Sequence, residues 1–224
     1  MARISARSCG VGRSTKKISS DIGKVRIVQI SDVHLGLIIG EARIKQIINT
    51  INKAKPDILV STGDLVDVQI DNIDSMAMLF QQVYTRYGKF AVTGNHEFYA
   101  GIDRALELTK KAGFKILRGQ AVDINGIITI AGVDDEAVRG RHNGEDTSEK
   151  ELCSHIDGSQ YTVLLKHRPV SYTGSLCVYD LQLSGHTHKG QIFPFFLITR
   201  FFFKQYAGFY EVNKSSSLYV SRGT

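Results

Sequence analysis

Hydrophobic and polar positions in the first half of the chain form blocks that predict strands and helices in alternation. Three short runs of apolar and β-branched residues predict buried strands: VRIVQIS at 25–31, DILVST at 57–62 and KFAVT at 89–93. Helices are predicted between and after them, at about 41–55, 73–87 and 102–112. The first of these carries isoleucines at helical spacing and ends at Pro56. This alternation favours right-handed crossovers and a largely parallel sheet.

The pattern changes after about Lys115. The segment ILRGQAVDINGIITIAG predicts a β-hairpin, because Asn125-Gly126 suits a tight type I′ turn. Three later runs predict further strands: YTVLLKH at 161–167, YDLQLSGH at 179–186 and SLYVSR at 217–222. No internal repeat and no Ser/Pro-rich linker interrupts the chain. The sequence therefore predicts one domain that contains two sheets.

The basic charge of the chain lies mainly at its start. Residues 1–24 hold six basic side chains and one acid, which accounts for +5 of the net charge of +6. Residues 1–23 lack the apolar core of a secretory signal and are predicted to be a disordered tail before a domain at 24–224; the alternative is an organellar transit peptide, since the segment is rich in Arg and Ser and poor in acids. The nearly neutral remainder offers no broad basic face, which argues against dedicated nucleic-acid binding.

Cysteine usage and hydrophobicity bear on the compartment. Cys9, Cys153 and Cys177 are odd in number and far apart, so they are predicted to be free thiols in a reducing compartment. No apolar run reaches the ~20 residues that cross a bilayer, and the longest, 191–203, contains Pro194 and Arg200. The expected location is cytoplasmic, with peripheral contact at the inner face of a membrane.

Chemically active side chains follow five of the predicted strands. In order they are Asp32 and His34; Asp64 and Asp67; Asn95, His96 and Glu97; His167; and His186 and His188. Since loops at the carboxyl ends of strands in an α/β sheet converge on one crevice, these side chains are predicted to meet there. Carboxylate and imidazole ligands without cysteine suit Mn, Fe or Zn. Taken singly, each motif is also typical of an ordinary turn or a packed histidine, so the argument depends on their combination.

In this order the motifs DVH, GDLVD, GNHE, the His of LLKH and GHTH resemble those of the calcineurin-like metallophosphoesterase superfamily. The resemblance covers about residues 25–221 and is nearest to a small bacterial and archaeal phosphodiesterase branch, whose members are often membrane-associated. It implies an α/β fold built as a four-layer αββα sandwich of two mixed sheets, with a dimetal site at the carboxyl ends of the strands.

The resemblance also implies a role for each ligand. One metal would be held by Asp32, His34 and His188, and the other by Asn95, His167 and His186. Asp64 would bridge the two ions. Asn95 and His96 would act in catalysis, with His96 protonating the leaving oxygen while a hydroxide between the two metal ions attacks phosphorus.

The neighbouring acids are open to two interpretations. Asp67 is expected to orient a ligand or Asn95, and Glu97 to hold the His96 ring. Each is equally consistent with an acid at a helix N-terminus. A further set is expected to be structural or solvated: Asp134, Asp135 and His142.

Two positions depart from the family pattern. Lys189 stands where the branch usually has a small residue, and either approaches the substrate or points to solvent. Relatives continue with a further strand after the point where this sequence stops, at Thr224, which predicts an unpaired sheet edge.

The resulting prediction is a phosphodiesterase or phosphomonoesterase that acts on a small or lipid-linked phosphoester. The phenylalanine-rich segment Phe193–Phe203 either meets a membrane surface or covers the second sheet. A protein Ser/Thr phosphatase, a nuclease and a non-catalytic metal-stabilised scaffold are the alternatives. The oligomeric state stays open.

Overall fold

A computed structural model describes most of the chain, in the ranges 11–12, 14–36, 39–67, 73–135, 149–170, 178–187 and 206–224. Several predictions fall outside these ranges and are not tested by them: those on Cys9, His142, Cys177, His188, Lys189 and Phe193–Phe203. The described helices are α1 (Glu41–Ala54), α2 (Asp74–Leu79), a 3₁₀-helix (Phe80–Gln82), α3 (Asn95–Ala100), α4 (Ile102–Lys111) and α5 (Glu149–Ser154).

The strands of the described part form two sheets. The first contains β1 (Ile27–Ile30), β2 (Ile58–Ser61), β3 (Lys89–Ala91) and β4 (Lys115–Ile116), in that order and all parallel. The second has the order β5 (Gln120–Ile124), β6 (Ile128–Gly132), β7 (Tyr161–Leu165), β8 (Leu181–Ser184), β10 (Ser217–Val220) and β9 (Gly208–Glu211). The first sheet is thus wholly parallel instead of mixed, because every connection within it returns over its outer face.

The predicted hairpin is present in the second sheet. β5 pairs antiparallel with β6, and the turn between them places both Asn125 and Gly126 at positive φ, as a type I′ turn requires. From β6 to β8 the pairing is parallel, and β10 continues it. β9 pairs antiparallel with β10, so the strand SLYVSR has a neighbour on each side. β9 is the last described strand on that side of the sheet, so the unpaired edge stays a prediction.

Three apolar clusters give the molecule its layers. The first lies on the outer face of the first sheet, where α1 buries Ile44, Ile47, Ile48 and Ile51. The second joins the sheets, with Val60 and Phe90 facing Ile130 and Val163 across the interface. The third packs Leu152 of α5 against Leu164 on the far face of the second sheet. This arrangement confirms the four-layer αββα sandwich.

Three helices differ from the prediction: one is shorter than expected, and α3 and α5 were not predicted. The helix expected over 73–87 ends after one 3₁₀ turn, and Val83 is already extended. The Lys89 ammonium donates to the carbonyls of Phe80 (2.6 Å) and Gln81 (3.1 Å), so a side chain from the next strand satisfies this helix end. The short helix α3 was not predicted, because it begins within the GNHE motif itself.

The described part of the predicted tail contacts the domain at some positions. Lys17 Nζ lies 2.9 Å from Asp180 Oδ2, and Ile18 packs against the apolar cluster between the sheets. Disorder of residues 1–23 stays a prediction, and 1–10 and 13 lie outside the described ranges. Among the helices that the structure describes, none combines the length and apolarity that crossing a bilayer demands.

One prediction about the cysteines is wrong. Cys153, buried on α5, is disulfide-bonded, so it is not a free thiol. The argument for a reducing compartment from unpaired cysteines is lost with it.

Candidate metal centre

The centre lies where strand ends of both sheets come together. β1 and β2 lead into Asp32 and Asp64, and their ladder continues beyond the strands: Asp32 N donates to Gly63 O (3.1 Å) and His34 N to Asp64 O (3.0 Å). β7 leads into His167 in the second sheet. Gly185 N donates to the His167 carbonyl (2.9 Å), which fixes the loop of His186 beside it.

Four of the predicted site residues have a left-handed backbone. Asp32, His34, Asp64 and His186 lie at φ values of 55, 52, 50 and 70°. Asp and His tolerate this region better than most residues, but it still costs on the order of 1 kcal/mol or more at each position. Such strain persists only where the surrounding structure imposes it, and here it turns successive side chains toward one point.

Asp64 is the centre of this arrangement. Its carboxylate is almost completely buried and has Oδ2 3.2 Å from His167 Nε2 and 3.9 Å from His34 Nε2. The other oxygen, Oδ1, accepts the backbone N–H of His96 at 2.9 Å. Burial opposes ionisation, but the charge and hydrogen bond of His167, with that N–H, hold the pKa of Asp64 well below its usual range.

His167 is oriented by the backbone. Its Nδ1 lies 2.7 Å from the Thr62 carbonyl, which can only accept, so Nδ1 carries the proton and Nε2 faces the site. Nε2 lies 3.1 Å from Nδ1 of His186 and near Asp64. Burial alone would lower the pKa of His167, yet the Asp64 charge raises it to about 10. Burial and then the charge on His167 lower the pKa of His186 to about 4.

Two groups of potential metal-ligand atoms share Asp64. One consists of Asp64, His34 and His96, and the other of Asp64, His167 and His186. Within each group the ligand atoms lie within 4.8 Å of one another. Asn95, which precedes His96 in the chain, has a buried Oδ1 that makes no hydrogen bond within the described part of the chain. A buried acceptor without a partner beside two such groups fits a pair of metal ions.

Asp32 lies at the same crevice but is held differently. Its Oδ2 accepts the Ser31 hydroxyl at 2.5 Å, and its Oδ1 accepts the backbone N–H of His186 at 3.1 Å. Its negative charge also contributes to the raised pKa of His167. Among the described residues Asp32 belongs to neither ligand group. It was predicted to hold a metal together with His34, but the group that contains His34 has His96 instead.

Asp67 and not Glu97 contacts the His96 ring, so the first interpretation of Glu97 is wrong and the second, an acid at a helix N-terminus, is confirmed. His96 Nδ1 lies 3.0 Å from Asp67 Oδ1, and both side chains are partly exposed. On its other side the imidazole meets the ring of His34 edge-on, with centroids 4.5 Å apart. Asp67 thus orients His96, which the sequence left open.

Glu97 instead organises the backbone. Its buried carboxylate accepts four N–H groups: those of Asp64 (3.0 Å), Leu65 (2.7 Å), Val66 (3.3 Å) and Gly94 (2.7 Å). Burial, followed by the negative charge of Asp64, raises the pKa of Glu97 to about 7. One side chain therefore ties the loop of Asp64 to the loop of Asn95.

Glycines at the centre are required mainly by space. A Cβ on Gly94 would overlap Asp64 Oδ1, and one on Gly185 would overlap the hydroxyl of Ser31. Only Gly63 also needs a positive φ, of 95°, and its Cβ would come within 2.6 Å of His167 Nδ1. These glycines let the ligand loops pack directly against one another.

An ion pair next to the centre was missed by sequence reasoning. Asp135, predicted to be structural, is buried and accepts Arg168 Nε at 2.8 Å and Nη2 at 3.1 Å. The charge on Arg168 contributes to the lowered pKa of His186. The available signal was a basic residue directly after His167, the predicted ligand.

Asp134 accepts hydrogen bonds from the side chains of Thr93 and Arg118 and is structural, as predicted.

Comparison with known proteins agrees with this geometry. The sequence model of the calcineurin-like phosphoesterase family matches residues 25–190. An uncharacterized metallophosphoesterase of Aquifex aeolicus is 39% identical over 89% of this chain and 77% of its own length. A transmembrane protein with a metallophosphoesterase domain from Danio rerio is 30% identical over 93% of this chain and 50% of its own length. The chain thus spans from about half to three quarters of the relatives it matches.

Solved structures show the same fold. A dimetal phosphatase from Danio rerio superposes with a TM-score of 0.58, at 13% identity, over 89% of this chain and 87% of its own. A Thermus thermophilus protein, TT1561, gives a TM-score of 0.54 at 13% identity, over 88% of this chain and 89% of its own. At such low identity these similarities concern the fold alone.

Proposed function

Since the chain belongs to the calcineurin-like phosphoesterase family of metal-dependent phosphoester hydrolases, we propose that it is a dimetal phosphodiesterase acting on a small or lipid-linked phosphoester. One observation carries this proposal: the buried Asp64 is shared by two groups of ligand atoms, as a carboxylate that bridges two ions would be. The partnerless oxygen of Asn95 adds a donor beside them.

The proposed ligand set follows from these contacts and from the family. Asp64 would bridge two ions of Mn, Fe or Zn. Asn95, His167 and His186 would hold one ion; Asp32 and His34, with His188 beyond the described residues, would hold the other. When bound, the two ions supply positive charge for the phosphate oxygens and a water of lowered pKa as the nucleophile.

The side chains prepare the centre for this chemistry. The Thr62 carbonyl keeps the His167 proton on Nδ1, which leaves Nε2 as the ligand atom. His96 is proposed to protonate the leaving oxygen as its bond to phosphorus breaks. Asp67 accepts from Nδ1 of His96, so it holds the ring and leaves Nε2 as the nitrogen that delivers the proton.

A second role for His96 is favoured by one observation, its membership of the ligand group with His34 and Asp64. A carboxylate behind a histidine is also typical of metal ligands. Replacing His96 by Asn separates the two roles. If His96 is the acid, the variant keeps two manganese ions per chain and loses activity by about 10²–10⁴-fold. Loss of one ion per chain would instead make His96 a ligand.

The reaction class is tested with metal-stripped protein to which manganese is added back. Nitrophenyl mono- and diesters, cyclic nucleotides, nucleotide-linked lipids and phospholipids form the panel. Diesters are expected to be hydrolysed faster than monoesters. A preference for phosphoserine peptides or for DNA would favour the protein phosphatase or the nuclease, and metal binding without any turnover would favour the scaffold.

Contact with a membrane is proposed for Phe193–Phe203, which follows the predicted ligand His188 in sequence. In its support, the Danio rerio relative is named as a transmembrane protein. Apolar side chains beside Arg200 and Lys204 suit an anionic lipid surface. Sedimentation with anionic liposomes tests this: replacing Phe201, Phe202 and Phe203 by Ser should reduce binding, and equal sedimentation of both forms would reject it.

A further inference from the structure

The helix α3 presents two different faces. Asn95, Glu97 and Phe98 are buried, whereas His96 and Tyr99, three residues apart, lie together on the outer face. The rings of His96 and Tyr99 have centroids 5.8 Å apart and meet edge-on at 61°. The helix therefore places an aromatic ring directly beside the imidazole.

Tyr99 is not part of a core. Its side chain is 52% exposed, while the neighbouring Phe98 is 6% exposed. Its hydroxyl makes no hydrogen bond to the residues that the structure describes, so no polar contact accounts for its position. A large aromatic surface left in water at a reactive group is available to a ligand.

We propose that Tyr99 forms an apolar wall on the leaving-group side of the site, and that it selects substrates whose leaving group is an aromatic ring or an alkyl chain. This inference rests on the proposed function, because it takes His96 as the group that meets the leaving oxygen. Proton transfer needs a separation of about 3 Å from His96, so the first carbons beyond that oxygen come within reach of the Tyr99 ring.

A purely protective role for Tyr99 predicts something different. If the ring only shielded His96 from water, its removal would affect all phosphoesters equally. If it is a wall, its removal would affect substrates in proportion to the apolar surface of the leaving group. A methyl group would then lose almost nothing, and a benzyl group would lose the most.

Binding of non-hydrolysable phosphonates separates these cases without turnover. Manganese-loaded protein is titrated with methyl-, butyl- and benzylphosphonate. The wild type is expected to bind the benzyl compound about tenfold more tightly than the methyl compound, which is the usual scale for stacking on one aromatic side chain. Tyr99→Ala should abolish this preference, and Tyr99→Phe should keep it. If only benzylphosphonate binds more tightly than methylphosphonate, Tyr99 selects aromatic rings. If benzyl- and butylphosphonate gain affinity equally, Tyr99 selects any apolar group.

Tyr84 provides a matched control, since it is 81% exposed and lies between the 3₁₀-helix and β3. Tyr84→Ala should leave all three affinities unchanged. The proposal is overturned if Tyr99→Ala keeps the preference for benzylphosphonate, or if it weakens methylphosphonate by the same factor. Manganese content is measured for each variant, so that loss of metal is not mistaken for loss of the wall.

Turnover of a matched pair of diesters then links the wall to the reaction. Benzyl methyl phosphate and ethyl methyl phosphate are compared by the release of benzyl alcohol and ethanol. Tyr99→Ala should raise KM for the benzyl ester about tenfold, with kcat and the ethyl ester little changed. Turnover without a benzyl preference would reject only the wall. A benzyl preference in binding without any turnover would reject the proposed hydrolysis and leave the wall as a ligand-binding surface.

Discussion

The carboxylate of Glu97 shows how much of the centre depends on one side chain. It takes four backbone N–H groups from two loops, and these loops carry Asp64 and Asn95. Sequence alone placed Glu97 near the site but left open whether it holds the His96 ring or the backbone at a helix N-terminus, and the structure shows the second. Whether Glu97 or Asp67 reaches the His96 ring depends on the directions in which the His96 and Glu97 side chains leave α3. A sequence pattern does not contain these directions.

Glu97→Gln is expected to damage both stability and metal binding. The amide has one acceptor oxygen, and its NH₂ group would face N–H groups that also donate. Buried donors left without acceptors should lower the free energy of unfolding by about 3 kcal/mol. Urea denaturation checks this, and metal analysis should find fewer than two ions per chain. Glu41→Gln, which removes an exposed pair with Lys45, is the control and should cost less than about 0.5 kcal/mol. Equal behaviour of the two variants would contradict the role of Glu97.

At the scale of elements, the segment after β10 connects the two sheets at the centre. Thr224 N donates to the Ser31 carbonyl (2.9 Å), and Ser31 N donates to the Thr224 hydroxyl (3.1 Å). Ser31 in turn donates to Asp32. Periodicity predicted most of the strands and the long helices, because their apolar faces repeat regularly. Among the elements that it missed are α3, α5 and β9, which are short and defined by contacts with other elements.

Thr224→Val should therefore disturb a residue at the opposite end of the sequence. Valine keeps the shape but removes the acceptor for Ser31 N, which should cost about 1–2 kcal/mol of stability. Because Ser31 precedes Asp32, manganese affinity should fall as well. Thr224→Ser keeps the hydroxyl and is the control. Isothermal titration with manganese and urea denaturation measure both effects, and wild-type values for Thr224→Val would show that the contact is dispensable.

At the scale of the whole molecule, folding gathers negative and imidazole charge in a largely buried crevice. The ends of parallel strands predicted that Asp64, His34, His167 and His186 come together, since topology alone brings them to one edge, whereas His188 lies outside the described residues. Topology did not predict how the charges balance, which depends on distances such as the 3.2 Å between His167 Nε2 and Asp64 Oδ2. Without metal, the proton on His167 offsets the charge of Asp64.

This balance gives the metal-free protein a specific pH dependence. Burial opposes protonation of His167, but the Asp64 charge raises its pKa to about 10, above the ordinary value of 6.5. Its contribution to stability is therefore complete below pH 6.5 and is lost as the pH rises toward 10. The pKa of Glu97 is raised to about 7, so its titration changes stability mostly below pH 7 and adds little between pH 7 and pH 9. Stripped protein should lose on the order of 2 kcal/mol between pH 7 and pH 9.

Manganese-loaded protein should not show this loss, because a histidine that binds metal through Nε2 has already released that proton. Urea denaturation of the stripped and loaded forms across the same pH range makes the comparison. His155→Gln, at an exposed histidine of the described chain, should leave both profiles unchanged. A stripped protein whose stability is flat from pH 7 to pH 9 would mean that His167 is neutral without metal. The charge of Asp64 would then be balanced by another group.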